Sequence, residues 1–283
     1  MTTKDRFGTG SMSRSQLPRR TALRRLSVAA LLAAGSWPGA LGVRAKDGGK
    51  SFKFIAVNDL HHDAPGCDPY FEGMISQMKR QVGIEFILVL GDLTDKGTRT
   101  SLGAIRDHLK GLGIPFYVQI GNHDYLTPND RKPYEEVFPN QLNYVFRFGG
   151  WQFVGIDTTQ GQEFSKTKVQ PATLTWMDHQ LPQLDKRLPT LLFTHFPLGP
   201  TAPMAPLNAE DVLTRFLGHN LKGVYSGHHH GFTLQVVRGV DVLTNRCCSR
   251  LRANHDGVKE KGYWVVTAGE TGLVREFVEY RGV

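Results

Sequence analysis

The sequence predicts an α/β fold, a four-layer αββα sandwich of two mixed sheets. Three observations carry this reading. Short, wholly apolar runs rich in β-branched and aromatic residues recur along the chain, the pattern of buried strands. Stretches with helical spacing lie between them, and strand, helix and strand repeat at about 30 residues, the length of a βαβ unit. A glycine turn at Gly149-Gly150 joins two alternating runs, and strand-rich segments turn near the end of the chain, which adds antiparallel hairpins to the parallel series.

The elements follow in chain order. Apolar runs at 52–57 (FKFIAV), 85–90 (EFILVL), 115–120 (PFYVQI), 190–194 (TLLFT) and 222–226 (KGVYS) read as strands. Residues 68–81 read as a helix, with Asp68 as N-cap and a proline at its first position. In 98–113, Leu102, Ile105, Leu109 and Leu112 share one helical face and Gly113 ends it. The stretches 171–181 and 208–218 repeat that pattern. Between Asn143 and Asp157 two alternating runs surround Gly149-Gly150, a hairpin. Further strand-rich segments turn at Gly239 and at 268–272. Residues 125–142 and 158–170 read as long polar loops, and no internal repeat or low-complexity linker divides the chain.

The formal charge of +8 belongs to the start of the sequence. Residues 1–45 hold eight basic side chains against Asp5 alone, a net +7, which leaves +1 for residues 46–283. Overall basicity therefore gives no support to nucleic-acid binding. The first 45 residues have the order of a secretory signal: a basic stretch to Arg25, an uncharged segment from Leu26 to Val43, and a small-x-small cleavage pattern at Val43-Arg44-Ala45. Within it, Arg19-Arg20 and Leu23 resemble a twin-arginine export signal, although Ala22 stands where a bulky residue is usual. The expectation is a leader over 1–45, export by the twin-arginine machinery to the periplasm or beyond, and a single domain over 46–283 without a membrane span. Cys67, Cys247 and Cys248 are too few for a disulfide scaffold. Outside the cytoplasm Cys67 has a choice of partner in Cys247 or Cys248, and three free thiols are the alternative.

The chemistry sits where the strand runs end. They are followed by Asn58-Asp59-Leu60-His61, Gly91-Asp92, Gly121-Asn122-His123-Asp124, His195 and Gly227-His228-His229-His230. Ligands of α/β sheets collect at the carboxyl ends of strands, so five such endings in succession point to one convergent site. Asp59, His61, Asp92, Asn122, His195, His228 and His230 offer carboxylate, imidazole and amide donors without thiolate, a set that suits Mn, Fe, Zn or Co. Seven donors exceed one tetrahedral ion and suit two ions sharing a carboxylate. Two carboxylates against two divalent ions leave the bare site at about +2, attractive to a phosphate ester. Alternation along an extended segment would turn His228 and His230 to one face and His229 to the other. His62 reads as an exposed loop residue or a substrate contact, His108, His179 and His219 as solvated, and His255 as a possible wall of the site.

The ordered series DLH, GDLTD, GNHD, TH and GHHH resembles the calcineurin-like metallophosphoesterase superfamily over residues 52 to about 250, and in style its class III cyclic-nucleotide-phosphodiesterase-like members. The resemblance implies a phosphoesterase of that fold acting on a small-molecule phosphate ester. It implies that Asp59, His61 and His230 hold one ion, that Asn122, His195 and His228 hold the other, and that Asp92 bridges them with a hydroxide that attacks phosphorus in line. It implies that His123 protonates the leaving oxygen or steadies the phosphoryl oxygens, and that Asp124 orients His123. Asp124 also fits a loop-capping carboxylate. Asp95 stands where purple acid phosphatases place a tyrosine ligand, so an iron(III)-tyrosinate centre is not expected. Two other functions compete: a non-catalytic, metal-stabilised binding protein of the envelope, since fold does not fix function, and a nuclease. Near-neutral charge without an aromatic-basic stripe counts against stable nucleic-acid binding.

Overall fold

The structure, a computed structural model, describes residues 51–282. The expected leader and the export signal within it lie outside the described residues. No helix among the described residues is long and apolar enough to cross a membrane.

Among the described residues eleven strands form two sheets. The first has the order β11 (Gly272–Glu279), β10 (Gly262–Gly269), β1 (Phe52–Val57), β2 (Ile84–Val89), β3 (Phe116–Val118). Within it β1, β2 and β3 run parallel, while β10 pairs antiparallel with β1 and with β11. The second sheet has the order β4 (Tyr144–Phe148), β5 (Trp151–Gly155), β6 (Thr190–Phe193), β7 (Leu221–Ser226), β9 (Val240–Thr244), β8 (Thr233–Val237). Here β5, β6, β7 and β9 run parallel and the hairpin partners β4 and β8 close both edges antiparallel. Both sheets are therefore mixed, as the sequence predicts.

Period-two alternation explains the layering. Along β1, Phe52, Phe54 and Ala56 face the other sheet and, with Phe86 of β2, meet its Phe153, Phe193 and Leu243 in the central core. Ile55 and Val57 face the opposite way, onto α1 (Asp68–Lys79) and α2 (Arg99–Lys110) through Phe71, Met74, Leu102, Ile105 and Leu109. A third core lies between the second sheet and the helices α4 (Pro171–Gln180) and α5 (Ala209–Arg215), built on Val154, Leu192, Val224, Met177 and Val212. Because every central strand buries both faces, its sequence reads as a continuous apolar run.

One expectation is corrected, and one open alternative is decided. The segment 125–142 is not all loop: Lys132–Val137 forms a short helix, α3, with Pro133 in its first turn and Tyr134 buried against Phe138. Six residues are too few to display a helical period. The thiols of Cys67, Cys247 and Cys248 are all free and buried, so neither alternative bridge is formed; Cys248 packs its Sγ 3.5 Å from the Met74 Sδ.

Candidate metal centre

The carboxyl ends of β1, β2 and β3 in one sheet and of β6 and β7 in the other open onto the same end of the sandwich. Asp59 and His61 follow β1, Asp92 follows β2, Asn122 follows β3, His195 follows β6, and His228 and His230 follow β7. The structure brings all seven together. Asp59, His61, Asp92 and His230 each place a donor atom within 4.8 Å of the others, and so do Asp92, His195 and His228. Asp92 belongs to both groups. Asn122 Oδ1 lies 3.3 Å from His195 Nε2 and completes the second group.

The backbone is bent to make this possible. Asp59, His61, Asp92, His228 and His230 all have positive φ, between 48° and 66°. For residues with a Cβ this left-handed conformation costs on the order of 1 kcal/mol or more each, and it concentrates at functional sites. A ladder beyond the strands holds the first two loops in register: Asp59 N–H donates to Gly91 O, His61 N–H to Asp92 O, and His62 N–H to Leu93 O. Glycines make the approach close enough. A Cβ on Gly227 would lie 2.7 Å from Asp59 Oδ2, and one on Gly121 would collide with the Asp92 carboxylate.

Residues 228–231 form a bend, not the extended segment expected from sequence, so alternation is not what sorts the three histidines. Paired left-handed turns at His228 and His230 do it. His229 is half-buried against His255 and takes no part in either group. His255 is exposed and stacks its ring on His230, with centroids 4.9 Å apart.

Hydrogen bonds fix which nitrogen each imidazole offers. His195 Nδ1–H donates to Leu90 O at 2.8 Å and His230 Nδ1–H to Ala253 O at 3.2 Å, so both present Nε2. His228 is reversed: its Nε2–H donates to Phe164 O at 2.8 Å, which leaves Nδ1 for the site. His61 Nε2 lies 3.1 Å from His230 Nε2 and 3.5 Å from Asp92 Oδ2. His230 Nε2 is 3.2 Å from Asp59 Oδ1, and His195 Nε2 is 3.3 Å from Asp92 Oδ1. Donors held at about 2.1 Å around one ion stand about 3.0–3.4 Å apart, so these separations fit a metal pair.

Electrostatics agree with the donor set. Burial opposes ionisation of Asp59, but His230 beside it outweighs burial and carries the carboxyl down to about 2. Asp92 is held well below the usual range, against its burial, by His195 and His61. Burial lowers both His195 and His230, but Asp92 raises the first to about 9 and Asp59 the second to about 11. Burial and the neighbouring His195 push His228 down to about 4.

His123 sits beside this group with its ring centroid 4.7 Å from that of His61. Its Nδ1–H donates to Asp95 O at 3.0 Å, which turns Nε2 away from that carbonyl, and His123 N–H donates to Asp92 Oδ1 at 2.9 Å. A cavity of about 320 Å³ lined by Asp95, Asn122, His123, Gln162 and Phe164 adjoins it. Asp124 does not orient His123, contrary to expectation. Its buried carboxylate accepts N–H bonds from Leu93, Thr94 and Gly121 and a hydroxyl bond from Thr94, and so ties the loop after β2 to the loop after β3. Burial and the nearby Asp92 raise its pKa to about 7, against the pull of these donors.

Two residues beside the site take positions that local sequence does not show. Asp95 places Oδ1 3.4 Å from His61 Nδ1 and accepts Arg252 at 2.9 and 2.6 Å; His61 and Arg252 together hold it well below the usual carboxylate range. The signal was present in GDLTD, three residues after Asp92, but its direction depends on the bend. His62 is buried, not exposed, and its Nε2 lies 2.7 Å from Asp68 Oδ1.

The calcineurin-like phosphoesterase family matches residues 52–232. The chain is 30% identical over 119 residues to a probable glycerophosphodiester phosphodiesterase of Arcobacter nitrofigilis, covering 40% of this chain and 42% of that protein. It is 27% identical over 163 residues to a probable cyclic nucleotide phosphodiesterase of Synechococcus, covering 55% of this chain and 62% of that one. Both matches thus span less than two thirds of the relative's length. Among solved structures, a dimetal phosphatase from Danio rerio superposes with a TM-score of 0.63 at 16% identity, over 80% of this chain and 95% of the other, a likeness of fold.

Proposed function

This chain belongs to the calcineurin-like phosphoesterase family, and from that premise we propose that it is an exported, metal-dependent hydrolase of small phosphomonoesters or phosphodiesters. The observation that carries the reading is the convergence of seven nitrogen and oxygen donors from five strand ends around the shared Asp92, with His123 beside them. Asp59, His61 and His230 would hold one ion, Asn122, His195 and His228 the other, and Asp92 both. When bound, such a pair supplies positive charge against phosphoryl oxygens and lowers the pKa of water.

The chain's own residues do the rest. His123, fixed through Nδ1 on Asp95 O, carries in its protonated form a second proton at Nε2 for the leaving oxygen. Asp124 keeps the loops of Asp92 and Asn122 at a constant separation. The cavity between His123, Gln162 and Phe164 has room for the ester group beyond the phosphate. Diesters are the first substrates to test, since both curated relatives are named as probable phosphodiesterases. Export rests on the order of charges and apolar residues in 1–45 alone; replacing Arg19-Arg20 by lysines should leave the protein in the cytoplasm.

The test is hydrolysis of bis(p-nitrophenyl) phosphate and p-nitrophenyl phosphate by protein loaded with Mn, Fe, Zn or Co. His123→Ala should retain its metal and lose about 10²–10⁴-fold in kcat. A loaded wild type that hydrolyses neither ester would instead be a metal-stabilised binding protein. Nicking of supercoiled plasmid would mark a nuclease.

A further inference from the structure

Outside the centre around Asp92, three other side chains converge. His62 follows β1, Asp68 opens α1, and His108 lies near the end of α2. The Nε2 atoms of His62 and His108 lie 2.7 and 3.1 Å from the same oxygen, Asp68 Oδ1, and the three donor atoms all stand within 4.8 Å of one another. We propose that His62, Asp68 and His108 form a separate site for a divalent transition metal such as Zn(II).

The donor chemistry is that of a two-histidine, one-carboxylate set, which takes Zn(II) or a neighbouring first-row ion and leaves coordination positions open. An ion bound at about 2.1 Å to each atom sets donors about 3.0–3.4 Å apart, so His108 already stands at the required distance and His62 must withdraw by only a few tenths of an ångström. The surroundings are those of a formed pocket. The Phe71 ring packs against both imidazoles, at 5.2 Å from His62 and 6.1 Å from His108, and gives the site an apolar floor. His62 is fully buried, its Nδ1 has no partner, and its backbone is fixed on both sides, N–H to Leu93 O and O to Asp95 N–H. Asp68 and His108 open onto a groove of about 570 Å³ between α1 and α2, which Glu72 and Asp107 also line. An ion can enter there from solvent, and Glu72, one turn from Asp68, lines the same groove. A bound ion would clamp α1 and α2 to the loop that carries Asp59 and His61. It would not share a ligand with them.

The test is a count of metal. The full chain is stripped with chelator, dialysed against micromolar Zn(II) and analysed for bound zinc. Wild type should hold one equivalent more than His108→Gln and one more than Asp68→Asn. His179→Gln, which removes an exposed histidine of α4, should match wild type. Circular dichroism confirms that the variants are folded, and hydrolysis by His108→Gln should stay within about twofold of wild type. Because the count is a difference, it does not depend on how many ions the centre around Asp92 holds or on whether the protein is a hydrolase. Equal zinc in folded wild type, His108→Gln and Asp68→Asn overturns the proposal, and the three residues are then a hydrogen-bonded group only.

Discussion

Gly121→Ala should damage the centre although alanine suits the backbone there. Gly121 has φ −109° and ψ 174°, an extended conformation that any residue adopts, so no strain in the main chain is expected. The obstacle is Asp92. A Cβ on Gly121 would lie 2.8 Å from Asp92 Cγ and nearer still to its Oδ1 and N, inside the 3.0 Å that real Cβ contacts respect. Relief requires the Asp92 carboxylate to move by roughly 1 Å, and a misplacement of that size costs about 10²-fold in rate. Since Asp92 serves both donor groups, the affinity for both ions should fall by about 10–100-fold. Overpacking adds about 1–3 kcal/mol of destabilisation. The assay pairs kcat/KM on bis(p-nitrophenyl) phosphate with metal affinity by chelator competition and with thermal melting. Gly103→Ala is the control. A Cβ there meets nothing within 4 Å, and in the interior of α2 it should stabilise by about 0.5–1 kcal/mol. If Gly121→Ala binds metal and turns over like wild type, the close approach of the two loops is not what positions Asp92.

The three adjacent histidines should respond unequally: His228→Ala and His230→Ala lose metal and activity, His229→Ala stays within about threefold of wild type, and equal damage at all three in metal analysis would refute the assignment. In chelator-treated protein, His195 is raised to about 9 from an ordinary value near 6.5, so its contribution to stability is full below about pH 6.5 and is lost as pH rises through about 9. Asp59, lowered to about 2, contributes above about pH 4 and loses it as pH falls through about 2. Melting temperatures of the stripped protein should therefore fall from pH 6.5 to 9 while Zn(II) affinity rises over the same range as the metal displaces protons; a stripped protein that melts higher at pH 9 than at 7 would contradict this. Asp124→Ala leaves three buried N–H groups without their acceptor and should cost on the order of 3 kcal/mol in denaturant melts, whereas a cost below about 0.5 kcal/mol would deny it the role of tie between loops.

What sequence alone determined follows from periodicity and order. Strands buried on both faces must be apolar throughout, and the chain shows this at β1, β2, β6 and β7 within a residue or two. Parallel strands place their carboxyl ends at one edge, so chain order alone groups Asp59, Asp92, Asn122, His195 and His228. The helix α3 escaped because one turn and a half has no measurable period, and its reason to fold is Tyr134 entering a core that sequence does not display.

Only tertiary structure decided which polar atoms meet. SGHHHG lies in a bend with left-handed turns at His228 and His230, and those turns are held by contacts from far along the chain: the Asp59 carboxylate takes the His228 N–H, and Phe164 O takes its Nε2–H. Asp124 was expected on His123 because they are neighbours in sequence, yet its bonds go to a loop 30 residues away. His62 is buried and Asp95 flanks His61 for the same reason. Local sequence specifies which backbone shapes are cheap. The positions of buried side chains are set by long-range packing and by the tendency of buried donors and acceptors to find partners, which acts between residues that are distant in sequence and adjacent only once the chain is folded.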